Sequence, residues 1–256
     1  MRHVIYGFLY SLRFLNYSLR LVAVSVCATA ATLLCFLLTP LFWKSPKLNF
    51  LYGHLISFPA RLFMGWRVTI EGDEHLKSAA PCIIAANHQS NWDVFTYVPV
   101  LPSNTIVLGK KELGWLPFFG LIFRGSDNIL IDRKHRRHAM ESLIEAKKAL
   151  IEKNYSIWVF PEGTRNRGKT LLLPFKRGAF HMAIQAQRPL VPIVHTPLHF
   201  YFQESKFKIL HGKIHIKVLP PVPTVGLTPK DLDALVQKVR QQMLEALVAM
   251  ENSRAP

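Results

Sequence analysis

Cys82-Ile83-Ile84-Ala85-Ala86-Asn87-His88-Gln89-Ser90-Asn91-Trp92-Asp93 runs from an unbroken apolar stretch into a polar turn, with a histidine five positions before an aspartate. The apolar part predicts a buried strand. A histidine just beyond such a strand stands on a rigid support. A carboxylate one tight turn later can bond one ring nitrogen and leave the other as a general base. The pair is half of a catalytic triad without its nucleophile. The alternative is a hydrogen-bonded histidine that merely closes the strand.

Outward from this stretch, short β-type runs alternate with helical ones. Strands are expected at Arg67–Ile70, Cys82–Ala86, Thr105–Leu108, Asn128–Ile131, Ser156–Phe160 and Leu190–Val194, with a pair at Lys206–Leu210 and Lys213–Val218. Helices are expected at Trp92–Val98, Arg136–Glu152, Phe180–Ala186 and Pro229–Glu251. Thr228, Pro229 and Asp231 together make a helix start, with a capping hydroxyl, a proline at the first position and an early acid. On Arg136–Glu152, Met140, Leu143, Ile144, Ala146, Leu150 and Ile151 mark a core-facing side. The interleaving predicts an α/β fold with a mixed sheet flanked by helices.

The chain has 256 residues, half of them hydrophobic, and 32 Lys and Arg against 16 Asp and Glu. Apolar and basic together suit an anionic membrane surface or a phosphorylated substrate, and the charge alone also suits nucleic acid. No helix-turn-helix, zinc-finger or RNA-binding aromatic pattern accompanies that charge, so no nucleic acid partner is expected. Cys27, Cys35 and Cys82 lie in apolar runs without CxxC or metal spacing, which predicts core thiols, no disulfide framework and no metal site.

Leu21 to Trp43 carries no charge. At ~1.5 Å per residue it reaches about 35 Å as a helix, enough to cross a hydrocarbon core of about 30 Å. Basic residues lie on both sides (Arg2, Arg13 and Arg20 before, Lys44 and Lys47 after), so the charge bias fixes orientation weakly. Leu48 to Trp66 is apolar but interrupted by Gly53, Pro59 and Gly65. It suits an interfacial position with Tyr52, Phe58, Phe63 and Trp66 at headgroup level, or a helix packed on the soluble part. Residues 1–66 are therefore read as a membrane-anchoring helical segment and 67–256 as the α/β domain.

Three further polar clusters close apolar strands, where α/β folds gather their sites. They are Gly109-Lys110-Lys111-Glu112-Leu113, Asp132-Arg133, and Pro161-Glu162-Gly163-Thr164-Arg165. Arg133 and Arg165 offer paired guanidinium donors to a phosphate, and Lys110 adds a point charge. Glu162 is expected to position substrate, with donors from Gly163 and Thr164, or else to belong to a structural turn. Lys176 and Arg177 are open between site and surface, and Pro192 lies in a late strand supporting the site.

With these motifs in order the chain resembles the glycerolipid acyltransferases, most closely the bacterial 1-acylglycerol-3-phosphate acyltransferases. The resemblance runs from about Ala80 to Val194, through Asn87-His88 to Asp93, Lys110 to Leu113, Asn128 to Arg133, Phe160 to Arg165, Pro174-Phe175-Lys176 with Gly178-Ala179-Phe180, and Val191-Pro192-Ile193. It departs at Asp127, where that family commonly has glycine.

The resemblance implies transfer of an acyl group from a thioester to the free hydroxyl of lysophosphatidic acid, giving phosphatidic acid. His88 and Asp93 would be the catalytic dyad, and the Glu162 motif part of the acceptor site. The substrate brings its own hydroxyl nucleophile, which fits the lack of a nucleophile elbow. Acyl-CoA or acyl-acyl carrier protein would be co-substrate, membrane lipids the surroundings, and no cofactor is expected. The location implied is a bacterial inner membrane with the catalytic domain on the cytoplasmic side. Two alternatives are another lysolipid acceptor and a non-catalytic, membrane-anchored lipid-binding module.

Overall fold

The computed structural model describes residues 2–166, 170–198, 201–203 and 207–253, with side chains at the N-terminus from Tyr10 onward. Its elements in chain order are α1 (Arg2–Leu38), α2 (Pro46–Met64), β1 (Trp66–Glu71), α3 (Glu74–Ala79), β2 (Ile83–Ala86), α4 (Asp93–Tyr97), β3 (Thr105–Lys110), α5 (Phe119–Gly125), β4 (Ile129–Ile131), α6 (Arg136–Glu152), β5 (Ser156–Val159), α7 (Gly178–Ala186), β6 (Leu190–His195), β7 (Phe202–Gln203), β8 (Lys208–Ile209), β9 (Gly212–Val218) and α8 (Leu232–Asn252). Short 3₁₀ turns follow α4 and β3 and precede α8.

Seven strands form one mixed sheet in the order β1-β9-β6-β2-β5-β3-β4. All neighbours are parallel except β6 and β9. β2 lies between β5 and β6, and every one of its residues is buried. A strand covered on both faces must be apolar throughout, which is why Cys82–Ala86 shows no alternation. One core lies beneath α6, α7 and α8, built on Ile83, Ile157, Phe180, Val239 and Met243; the other, on the opposite face, includes Ile84, Trp158, Tyr97 and Val191.

The expected pairing of 206–210 with 213–218 does not form. β8 pairs with β7 in a small hairpin, while β9 inserts between β1 and β6. Lys206, where the first of those expected strands began, lies outside the described residues. The reason is visible in β9, whose Ile214, Ile216 and Val218 are buried at alternate positions and need a sheet face rather than a hairpin partner. α6 matches its expected bounds, but its buried side consists of Ala146, Ala149 and Leu150, leaving Met140, Ile144 and Ile151 exposed. The start of the last helix carries the expected capping hydroxyl of Thr228, and the early acid Asp231 bonds back to complete a capping box.

The Leu48–Trp66 stretch forms a helix, with Trp66 just beyond it, that packs one side on the rest of the fold. Ser45 caps α2, Pro46 occupies its first turn, and Gly65 closes it at φ +70°. Its Leu48, Ile56, Ala60 and Met64 are buried, and Gly53 allows approach to Val98, whose Cγ2 would lie 3.1 Å from an added Cβ. Trp66 is also buried, with its ring 5.6 Å from that of Trp92, and Tyr52 shares a hydrogen bond with Thr32; neither sits free at a headgroup level. Phe58 and Phe63 are exposed.

α1 lies along α2, turning Tyr17, Val24, Ala31 and Cys35 inward. Leu19, Val22, Val26 and Leu37 face outward. Within Tyr10–Leu38 an 18-residue window reaches a mean hydropathy of 2.5, and this is the one helix among the described residues long and apolar enough to cross a membrane.

Candidate active site

β2 ends at Ala86, and the next two residues leave the sheet beneath two anchors. Asn87 is fully buried; its Oδ1 accepts from the Tyr97 hydroxyl at 2.5 Å and from the His195 amide at 3.0 Å. The His88 carbonyl accepts from Asn166 N at 2.7 Å. These bonds fix the main chain on which the His88 ring stands, and Phe160 stacks on that ring at 4.1 Å with an interplanar angle of 19°.

Asp93 opens α4 and is buried. Its Oδ2 accepts from His88 Nδ1 at 2.7 Å and from the amides of Gln89 and Ser90 at 2.7 and 3.0 Å. Burial alone would raise this carboxyl. Hydrogen bonds and charge from His195 and His88 outweigh that effect and bring it down to about 2, so it is ionised at neutral pH. An ionised acceptor on Nδ1 places the proton there and leaves the Nε2 lone pair free. The His88 side chain keeps 24% of its surface exposed, against 1% for Asp93, so a base is presented and its orienting acid is hidden.

The turn after β5 supplies the next residues. Glu162 is buried; Oε1 accepts from the His88 amide at 2.7 Å and Oε2 from the Leu173 amide at 2.9 Å. Both oxygens thus serve main-chain donors, one of them beneath the base. Burial pushes this carboxyl up to about 7, with those two amides opposing and the Asp93 charge assisting. Gly163 has φ +71°, where a side chain would be strained, and an added Cβ would lie 3.0 Å from Lys176 Cγ. Its carbonyl accepts from Arg133 Nη1, and Arg165 Nη1 donates to Asn91 in the His88 loop. Thr164 is exposed beside them.

Hydrogen bonds join His88 to Asp93 and Glu162, Arg133 to Gly163, and Arg165 to Asn91, and the Asn87–Asp93 loop and the turn after β5 bring these residues into one site. Lys110 pairs with Glu112 at 3.4 Å, and the Glu112 charge acts on Arg133, while neighbouring Lys111 pairs with Asp132 at 2.6 Å. Arg177 is paired with Asp233 at 2.7 Å and Lys176 is exposed. Pro192 lies in β6 beside Ala85 of β2. Cys82 is buried, and burial pushes its thiol up to about 12, which rules it out as a thiolate at neutral pH. Among the described residues no cluster of His, Cys, Asp or Glu has the geometry to hold a metal ion.

Sequence reasoning missed His195 and Asn87. The structure's register pairs Ala86 with Ile193, so His195 lies two residues beyond Ile193 just as His88 lies two beyond Ala86, a relation that only the strand pairing reveals. Adjacent strands thus end in histidines side by side.

A mixed sheet with a His–Asp pair just beyond a central strand, and arginines beyond other strand ends, can activate a hydroxyl as a nucleophile next to a bound anion. Residues 67–196 match the family model described as Acyltransferase. The chain is 41% identical over 190 residues to 1-acyl-sn-glycerol-3-phosphate acyltransferase alpha of Homo sapiens, covering 74% of this chain and 67% of that protein. It is 35% identical over 228 residues to 1-acyl-sn-glycerol-3-phosphate acyltransferase of Limnanthes douglasii, covering 89% and 80%. The fold is similar to the crystal structure of the 1-acyl-sn-glycerophosphate (LPA) acyltransferase PlsC from Thermotoga maritima, with a TM-score of 0.69, 21% identity and 98% of each chain covered. The chain belongs to the acyltransferase family.

Proposed function

We propose that this protein is a 1-acylglycerol-3-phosphate acyltransferase, moving a fatty acyl group from an acyl thioester to the sn-2 hydroxyl of lysophosphatidic acid to give phosphatidic acid. The observation that carries this is the 2.7 Å bond from His88 Nδ1 to buried Asp93, with Nε2 left open. As the hydroxyl oxygen bonds to the thioester carbonyl carbon, its proton passes to Nε2. The carbon–sulfur bond then breaks, and the thiolate recovers that proton. Among the described residues no serine or cysteine side chain is hydrogen-bonded to His88, which supports direct transfer.

Arg133 and Arg165 each use one nitrogen on the site itself, and a guanidinium has five N–H donors, so both retain donors for the acceptor phosphate. Lys110 uses one of its three donors on Glu112 and can add a point charge beside them. Acyl-CoA and acyl-acyl carrier protein are the two donors to compare, since both are anionic and the chain carries a net charge of +16. The outward apolar face of α1 supports a membrane seat, and the same charge favours an anionic cytoplasmic leaflet.

The test is thioester consumption by the detergent-purified protein with lysophosphatidic acid and either donor, wild type against folded His88→Ala. Turnover that vanishes in the variant while lysophosphatidic acid still binds supports the assignment. Equal turnover in both removes His88 from the mechanism. Activity only with lysolipids whose phosphate bears a headgroup would change the acceptor.

A further inference from the structure

We propose that His195 is a positioning residue of this site, completing a His88–Asp93–His195 relay in which a second, fully buried imidazole offsets the Asp93 charge that His88 meets. The inference rests on the acyl-transfer reading above. His195 ends β6 and has no exposed surface. Its Nδ1 lies 2.6 Å from the Thr196 carbonyl oxygen and its Nε2 lies 3.2 Å from Asp93 Oδ1. Asp93 Oδ2 is already occupied by His88 and two amides, so His195 takes the remaining oxygen.

A carbonyl oxygen only accepts, and an ionised carboxylate only accepts. A ring with one proton would aim a nitrogen lone pair at one of those oxygens. Only a ring with a proton on each nitrogen donates to both. The carboxyl held at about 2 fits this arrangement, because a buried anion needs a compensating partner. Balanced by His195 on its far side, Asp93 can orient His88 without also holding a proton on it.

The other titratable groups nearby are few. Tyr97 of α4 lies with its ring 4.5 Å from that of His195, its hydroxyl committed to Asn87. Glu162 sits beneath the His88 amide, with Arg240 of α8 acting on it. His215 of β9 meets this region through its main chain, at Thr196.

The experiment compares full-length wild type, His195→Met and His195→Gln across pH. In His195→Met the Asp93 charge falls wholly on His88. The acidic limb of kcat/KM is expected to rise by about one pH unit and the plateau kcat to fall about tenfold, with acceptor KM within about twofold. His195→Gln returns an N–H donor to Asp93 without charge, so it should regain the plateau and keep the raised limb. Limbs unmoved in both folded variants would overturn the relay. Nitrogen spectra of 15N-histidine-labelled protein give a readout that needs no turnover: two protonated ring nitrogens on His195 at neutral pH, altered in Asp93→Asn, support the relay, and a single ring proton overturns it. Should wild type fail to acylate lysophosphatidic acid, the functional reading fails and the spectra alone judge the relay.

Discussion

Glu162 Oε1 accepts the main-chain N–H of His88 at 2.7 Å, tying the turn after β5 to the residue that carries the base on β2. Two motifs 74 residues apart in sequence thus share one rigid joint. The carboxylate bonds donors at both oxygens, so Glu162→Gln must turn an NH₂ toward an amide N–H at one end. We expect kcat to fall about 10- to 100-fold with lysophosphatidic acid affinity within about threefold, since the loss lies in geometry rather than contact. Steady-state kinetics beside equilibrium binding separates the two.

The same residue gives a pH signature of stability. Its folded carboxyl is raised to about 7 from a reference of 4.5. Between those values the folded state holds a proton that the unfolded state has released, so stability declines as pH rises through this window and levels off above it. Full expression would be on the order of 3 kcal/mol. Thermal unfolding of wild type from pH 5 to 8 should show a falling Tm, and Glu162→Gln should flatten that slope.

Asp93→Asn replaces an acceptor by a group with two donors while three donors still point at Oδ2. The amide must present its oxygen there and its NH₂ to His195, which lies 3.2 Å from Oδ1. His88 then loses the charge that fixes its tautomer. Activity is expected to fall about a thousandfold, comparable to losing the orienting acid of a triad. Raising pH should not restore it, because orientation is lost rather than deprotonation; a full alkaline rescue would show that Asp93 acts only through charge.

Much of this site was legible in the sequence because central strands write themselves plainly. Ile83–Ala86, Ser156–Val159 and Leu190–His195 are buried throughout, so apart from Ser156 and His195 at their ends each reads as a continuous apolar run. Pairing was not legible, because Lys213–Val218 alternates as any half-covered strand does, and alternation does not name a neighbour. α2 was obscured by Gly53 and Pro59, which mimic breakers although the first serves a close approach and the second is tolerated inside the helix. His195 and Glu162 exert their effects through contacts between strands, and spacing along one chain does not reveal those.

Asp127 stands at φ +60° with Lys44 at 3.2 Å and Lys153 also bonded to its carboxylate. It therefore joins the loop after α1 to the end of α6. Replacement by glycine removes a left-handed strain of about 1–2 kcal/mol while losing two partly exposed ion pairs worth about 1 kcal/mol together. The net change should lie within about 1 kcal/mol. Asp127→Val keeps the strain, worsens it by β-branching and loses both pairs, so it should cost about 3 kcal/mol. Chemical denaturation orders the two; activity of the folded glycine variant is expected within about twofold of wild type, because Asp127 bonds neither His88 nor the arginines.

The outward face of α1 offers the last test, and truncation is the wrong way to apply it. Cys35 packs with Leu48 and Ile122, and Val24 with Ala60, Met64 and Trp66, so deleting residues 1–46 would strip cover from the fold. Such a deletion should reduce activity on soluble and membrane-embedded lysolipids alike. Point changes distinguish the faces. Val22 and Val26 are 60% and 62% exposed, whereas Val24 is 6% exposed. Burying a valine in hydrocarbon is worth about 1.5 kcal/mol or more. Val22→Asn with Val26→Asn should therefore weaken co-sedimentation with anionic vesicles at least tenfold and leave Tm within about 2 °C. Val24→Asn buries an amide in a packed contact and should lower Tm by several degrees. Unchanged vesicle binding in the double variant would move the membrane contact to another surface, and equal destabilisation by both substitutions would show that the outer face is covered by protein.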